Sequence, residues 1–405
     1  MSTLLQINIT ANWGSTGKIA EQIGMCAMRH GWDSYIAYGR SVNPSKSNLI
    51  KVGSKLGVYW HVLESRLFDN HGLASRCATH KLIKQIKKIQ PDIIHLHNIH
   101  GYYINYKILF EYLNSIDTPV VWTLHDCWTF TGHCSHFIET GCYKWQKECY
   151  DCAYHHVYPK SLSDRSRYNF RIKKRLFTAK SNCCLVPVSK WVLGLTHDSF
   201  LRGMRSHLIY NGIDTKIFSP RHTDHIRKKY ELYDKFTIIA AATLWSESKG
   251  LYDFTKLRAK LPDDYSIILV GLSESQIESL PEGIIGITRT KSQEELAELY
   301  SAADVVLSMS HAETCGLTLI EGMACGTPAI TYSAGGTDEV ITGETGFLVK
   351  FGDIEGVANA IYTIKTNGKS FYTDACRKRA EEYFDKNKCF EEYITLYNEL
   401  LNKTK

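Results

Sequence analysis

Two carboxylates, Glu313 and Glu321, stand with seven residues between them in the run SHAETCGLTLIEGMACGTPAITYSAGGTDEV. Gly316 marks a turn and LTLIEGMACG reads as a helix, so Glu313 falls in the loop before the helix and Glu321 about one turn inside it. The backbone amides of Cys315, Gly316 and Leu317 then face an incoming anion, and the helix dipole adds to the attraction. A carboxylate beside such a site is poorly placed to hold phosphate but well placed to accept hydrogen bonds from sugar hydroxyls. The pattern asks for a ligand that carries both.

A second anion-binding pattern opens the chain. In NWGSTGKIAEQI, Gly14 and Gly17 bracket a strand-to-helix turn where a ligand can approach backbone amides, although a plain turn would read the same way. No G-x-G and no Walker A spacing occurs, so ordinary dinucleotide and P-loop readings lose their support. Leu124 to Cys152, LHDCWTFTGHCSHFIETGCYKWQKECYDC, holds five cysteines and three histidines. His125 sits at the end of an apolar strand, where it is either a site residue or a satisfied strand-end histidine. Cys134, Cys142, Cys149 and Cys152 follow in a loop. They fit a tetrahedral structural zinc, or they are unpaired thiols, the spacing lacking a second C-x-x-C.

The elements that position these residues alternate. LLQINIT, DIIHLHN, PVVWTLHD and NCCLVPVS read as buried strands, with helical spacing in KIAEQIGMCAMRHG and HKLIKQIKKIQPD between them. After IYNGIDTKIFSP the composition turns polar and charged, and alternation restarts with strands at FTIIAAATL, YSIILVG, DVVLSMS and TPAITYS. The expectation is α/β, two Rossmann-like doubly wound parallel-sheet domains facing a cleft: 1–214 and 215–385, with a C-terminal helix over 386–405 packing back toward the first. At 405 residues the chain exceeds what one hydrophobic core accommodates.

The bulk numbers exclude other classes. A formal charge of +6 is mild for this length and does not suit a nucleic-acid binder. No run reaches a spanning helix and MSTLLQINIT lacks a signal peptide's regions, so a cytoplasmic location is expected. There the thirteen cysteines are expected to be mostly reduced, buried thiols. Basic residues cluster in KLIKQIKKIQ (Lys81, Lys84, Lys87, Lys88) and RSRYNFRIKKRLF, which are solvated faces or surfaces for anionic lipid headgroups at the inner face of the plasma membrane.

The run from Glu313 to Pro328, with GGTDE after it, resembles the E-x7-E signature of retaining GT-B glycosyltransferases of family 4 (group 1). The resemblance extends over nearly the whole chain: the Gly14 to Gly17 turn, LHD, PVSKWV, IYNGID, ESKG and TGFLV fall in the family's order. The HDCWTFTGHC region looks most like bacterial capsule and exopolysaccharide transferases of the colanic-acid type. The resemblance implies a hexosyltransferase that moves a sugar from a UDP- or GDP-sugar to a glycan or lipid-diphosphate-linked glycan. It implies that Glu313 meets the donor sugar near its reacting face, Glu321 holds the ribose hydroxyls and Lys249 neutralises the diphosphate. The amides of Cys315 to Leu317 bind that diphosphate from the helix end. Gly14 and Gly17 let a loop close over the phosphates, and His125 meets the donor sugar from the acceptor side. One position departs: the family's usual arginine is Leu244 here.

No D-x-D occurs, so no metal is expected at the reacting centre, and no cofactor. Lys249 and helix-end amides can stabilise a leaving diphosphate without one. Lys249 read alone is equally a solvated helix-start lysine, which the following Gly250 and preceding strand argue against. A nucleotide-sugar epimerase of the same architecture and a non-catalytic zinc-containing binding module are the alternatives from other classes.

Overall fold

Short apolar runs bounded by turn residues become the strands of two parallel sheets in the computed structural model, which describes residues 2–404. Contacts divide the chain into two units, one of residues up to Ile209 together with those from Phe390 onward, the other Tyr210–Cys389. The first unit holds β1 (Thr3–Asn8), β2 (Asp33–Tyr38), β3 (Asn48–Lys51), β4 (Ile93–Leu96), β5 (Val120–Leu124), β6 (Cys183–Pro187) and β7 (Arg205–Ser206). Their order is β3-β2-β1-β4-β5-β6-β7 and the pairings are parallel. The second holds β8 (Phe236–Ala241), β9 (Tyr265–Val270), β10 (Ile284–Ile287), β11 (Val305–Ser308), β12 (Ala329–Tyr332) and β13 (Gly346–Val349), in the order β10-β9-β8-β11-β12-β13, again parallel.

Helices cover strands in such sheets, which is why β4, β5, β6 and β9 are buried along their whole length and read as continuous apolar runs. The edge strand β3, NLIK, is mostly exposed and has polar residues at both ends, so it carries no such signal. In both units the strand order reverses beside the first strand, between β1 and β4 and between β8 and β11. The loops that leave the carboxyl ends of strands at such a reversal are where open parallel sheets take their ligands.

The segment NGID belongs to the second unit. Ile213 exchanges backbone hydrogen bonds with Phe384 and Lys386, and a Cβ at Gly212 would lie 2.4 Å from the Lys386 Cα. The division between units therefore falls a few residues before the polar run that marks it in the sequence. Along the C-terminal helix Lys386–Thr404, the residues from Phe390 pack within the first unit, where Phe390, Tyr393, Ile394 and Tyr397 are buried. Their apolar spacing comes with a polar purpose. The hydroxyl of Tyr397 lies 2.6 Å from Nδ1 of His95, and that of Tyr393 lies 2.9 Å from Thr123, which reaches His95 Nε2 at 2.7 Å. A histidine inside a wholly buried strand needs such partners.

Candidate active site

In the second unit, the two loops at the β8/β11 reversal carry Lys249 and Glu313. Lys249 ends a single 3-10 turn, Glu247–Lys249, and Gly250 follows with φ +75°. A Cβ at Gly250 would stand 2.3 Å from the carbonyl oxygen of Met309, just beyond β11, so only glycine lets these loops approach. His311 N donates to Ser248 O at 2.9 Å and closes the same seam. The outcome is an ion pair between the Lys249 ammonium and the Glu313 carboxylate, both partly exposed.

Glu313 is held from its other side by the loop after β12. Its amide donates to Ala334 O at 3.0 Å and its carbonyl accepts from Gly336 N at 2.8 Å. Gly316, at φ +72°, then opens the helix Leu317–Ala324, and a Cβ there would meet Thr337 Cγ2 at 2.9 Å. The first intrahelical bonds run from Leu319 and Ile320 back to Gly316 O, so the amides of Cys315, Gly316 and Leu317 stand at the helix's positive end. Burial drives the Cys315 thiol up to about 12, with the charges of Glu313 and Glu339 acting in the same direction. A thiol so buried and so hard to ionise is a poor nucleophile, so what Cys315 can offer at the helix end is its backbone amide. Glu321 lies within that helix and accepts from the Tyr300 hydroxyl at 3.3 Å. Leu244 is 75% exposed and supplies no cation.

In the first unit, the candidate residues follow β1 and β5. Gly14 opens the helix Gly14–Arg29 at φ +65° with no atom within 4 Å of where a Cβ would be, which leaves room for a ligand. Gly17 differs. A Cβ there would lie 2.6 Å from Thr10 Oγ1, so this glycine serves the packing of the helix on its own loop.

His125 follows β5 and stacks on His97 at 5.4 Å between ring centroids. The Gln6 side-chain amide donates from Nε2 to Ala20 O at 2.7 Å, which leaves Oε1 facing His97 Nε2 at 3.0 Å. That nitrogen must carry the His97 proton, so Nδ1 of His97 accepts, and His125 Nε2, 3.1 Å away, donates to it. The network thereby assigns His125 an acceptor nitrogen at Nδ1. Burial pushes its pKa down to about 4, the nearby Asp126 charge opposing, so the ring is neutral at physiological pH. A neutral acceptor suits a sugar hydroxyl and does not suit an acid catalyst. Against the upward push of burial, His100 and the Trp128 amide hold Asp126 down to about 2.

Sequence reasoning missed His97, Gln6, Ser248 and His311. The alternation of His95 and His97 in DIIHLHN was a usable signal, since two histidines in an apolar strand require internal partners. The structure brings Lys249 to Glu313, and sets the amides of Cys315 to Leu317 at the start of the helix that holds Glu321. Gly14, Gly17 and His125 lie in the other unit.

Residues 20–217 match the family described as Glycosyltransferase Family 4, and residues 235–367 match Glycosyl transferases group 1. The chain belongs to the group 1, family 4 glycosyltransferases. Its relatives in that family include N-acetyl-alpha-D-glucosaminyl L-malate synthase of Bacillus anthracis, 27% identical over 56% of this chain and 63% of the relative. Another, named for colanic acid biosynthesis, is the glycosyl transferase WcaC of Escherichia coli K12, 25% identical over 52% of this chain and 54% of its own. The chain thus spans somewhat over half the length of these relatives. The solved sucrose-phosphate synthase of Thermosynechococcus elongatus superposes with a TM-score of 0.76 at 18% identity, covering 100% of both chains. The chain therefore has the GT-B fold, two doubly wound parallel-sheet domains.

Five histidines of the first unit, His61, His71, His95, His97 and His125, have their pKa lowered by burial. Each takes up a proton on unfolding once the pH falls below its unfolded value of about 6.5, so each removes up to about 1.4 kcal/mol of stability per pH unit from there toward pH 4. The urea midpoint of the first unit should fall between pH 7.5 and 5.5, and His95→Gln should make the fall shallower. A midpoint that is flat or rises over that interval would contradict the neutral, buried assignment.

Proposed function

We propose that the chain transfers a hexosyl group from a UDP- or GDP-sugar to a glycan or lipid-diphosphate-linked glycan in polysaccharide biosynthesis, with retention at the anomeric carbon and without a metal ion. The observation that carries the reading is the Lys249–Glu313 ion pair beside a helix N-terminus at the sheet reversal. A cation, a set of oriented amides and a carboxylate so close together support a reading in which the first two meet a leaving diphosphate and the third a sugar. The bond between the anomeric carbon and the diphosphate oxygen breaks with its electron pair going to that oxygen. The acceptor hydroxyl oxygen bonds to the same face of the carbon and its proton passes to the departing diphosphate.

In this mechanism Lys249 and the amides of Cys315 to Leu317 offset the charge that grows on the leaving oxygen. Glu313 accepts hydrogen bonds from sugar hydroxyls and stabilises the positive charge that develops at the anomeric centre. Glu321 accepts from the ribose hydroxyls. His125 accepts from a sugar hydroxyl through Nδ1, and Gly14 leaves the first-unit turn open to the phosphates.

A contact with anionic membrane is part of the proposal. The helix Lys55–Phe68 exposes Leu56, Tyr59, Trp60, Leu63 and Phe68 to solvent, and Lys81, Lys84, Lys87 and Lys88 are exposed on the helix Arg76–Ile89. Apolar side chains beside lysines suit a headgroup boundary. The basic run from Arg165 to Phe177 suits it less, because Lys173 is buried and Arg167 and Arg171 pair with Glu148. Among the described residues no helix is long and apolar enough to cross a membrane.

A thermal-shift screen of UDP, GDP and ADP with their sugars should single out one nucleotide, which then serves in a product assay. Glu313→Gln should lower turnover at least about tenfold with the fold intact, as expected of an interaction realised mainly in the transition state. Near-normal turnover, or conversion of the donor to an isomeric sugar with no acceptor present, would refute the assignment. Lys249→Ala should weaken nucleoside diphosphates much more than the free nucleoside, because a missing cation is felt by the charged group; equal losses would make Lys249 merely structural. Flotation with phosphatidylglycerol vesicles should retain the wild type and lose a variant with glutamate at Lys81, Lys84, Lys87 and Lys88. Equal flotation of the two would remove the membrane contact.

A further inference from the structure

The helix Lys55–Phe68 is amphipathic the wrong way round. The residues it buries are His61 and Ser65, and both are satisfied where they lie. His61 Nδ1 is 2.8 Å from Ser75 Oγ, its Nε2 accepts from Gly72 N at 3.0 Å, and Ser65 Oγ donates to His61 O at 2.8 Å. Leu56, Tyr59, Trp60, Leu63 and Leu67, spaced as one helical stripe, are instead between 41% and 80% exposed. A contiguous apolar surface of this kind marks a place where something apolar docks.

Beside the stripe, a groove of about 950 Å³ opens between this helix, the end of β3 and the helix Arg76–Ile89. That volume lies at the upper end of small-ligand sites. Val52, Val58, Ala74, Leu82 and Tyr103 line it, and Trp60 belongs both to its wall and to the exposed stripe. The Tyr103 hydroxyl donates to Asn98 O at 2.9 Å, so its polar atom is already satisfied. Glu64, the carboxylate among the lining residues, accepts from Trp60 Nε1 at 2.7 Å. Arg76 and Lys81 line the groove from the other helix, and among the described residues neither pairs with a carboxylate. That helix, RCATHKLIKQIKKI, carries five lysine and arginine side chains and no acidic one.

Together these features select the occupant. An apolar groove calls for hydrocarbon, and uncompensated cations along one wall call for an anion attached to it. A second copy of the chain fits badly, because a two-fold pairing through this face brings one lysine-rich helix against another. We propose that the groove between Lys55–Phe68 and Arg76–Ile89 holds one phospholipid with an anionic headgroup, its phosphate at Arg76 and Lys81 and a hydrocarbon chain over Val58, Trp60 and Leu82. This deepens the membrane contact proposed above, on which it rests, by making that contact stoichiometric and selective for the charge of the lipid. It needs no part of the transfer reaction.

The test is calorimetric titration of the full chain with dihexanoyl-phosphatidylglycerol and dihexanoyl-phosphatidylcholine, each kept monomeric below its micelle concentration. Phosphatidylglycerol should bind at about one molecule per chain and at least about tenfold more tightly than phosphatidylcholine. Arg76→Gln combined with Lys81→Gln should remove that preference, whereas Lys88→Gln, exposed on the same helix but outside the groove, should keep it. Cys77→Trp, at an exposed position of the groove wall, should fill the space and weaken both lipids at least about tenfold. The titration uses neither vesicles nor a sugar donor, so its failure is read separately from a failure of flotation or of turnover. No saturable binding, equal affinity for the two lipids, or unchanged binding by both the double variant and Cys77→Trp would overturn the proposal. So would farnesyl diphosphate bound at least about tenfold more tightly than phosphatidylglycerol, which would give the groove to a lipid diphosphate instead.

Discussion

Lys249 and Glu313 can reach each other only because Gly250 has no side chain. Its missing Cβ leaves room for the Met309 carbonyl, and the loops after β8 and β11 close on each other at the reversal of strand order. Everything proposed for the donor follows from that contact. The bridge between Glu313 and Gly335, the turn at Gly316 and the short helix behind it all fix the carboxylate and the helix-end amides relative to one lysine. Before a ligand arrives, Glu313 is the anion that Lys249 holds. In the proposed reaction a diphosphate would compete with the carboxylate for the cation, so the residue proposed to meet the sugar would also moderate the affinity for the leaving group.

The first unit solves a different problem, polar groups inside a parallel sheet. His95 and His97 lie where helices cover both faces, and each is satisfied by partners distant in sequence: Tyr397 and Thr123 for one, Gln6 and His125 for the other. Because Gln6 is itself anchored on Ala20 O, its amide orientation sets the tautomer of His97 and hence of His125. The same burial that keeps these rings neutral makes the unit sensitive to acid.

The buried strands could be read from the sequence because burial on both faces leaves little choice but Val, Ile, Leu and Cys, as in β6 and β9. Strands β3, β7 and β13 could not. β3 is an exposed edge, β7 has two residues, and β13 is a four-residue stretch opened by Gly346 and only partly buried. At the site, E-x7-E and the glycine after Lys249 were legible because a helix start and a close backbone approach each demand a particular residue type. The Gln6–His97–His125 relay was not, since it joins three strands that only the fold brings together. Gly14 and Gly17 looked equivalent on the page, yet one faces open space and the other a threonine hydroxyl. The charged run around Lys173 read as a solvated face for the same reason: a single buried position in a helix is invisible without the loop that covers it.

The central claim is that Lys249 exchanges its bond to Glu313 for one to the departing diphosphate, and calorimetric binding of the cognate nucleoside diphosphate to Glu313→Gln tests it most directly. Removing the competing carboxylate charge should leave the affinity unchanged or raise it by up to about tenfold, since one lost charge contact of this partly exposed kind is worth about 1 kcal/mol. Binding weakened by about tenfold or more would show that Glu313 supports the diphosphate rather than competing with it, and would contradict the account.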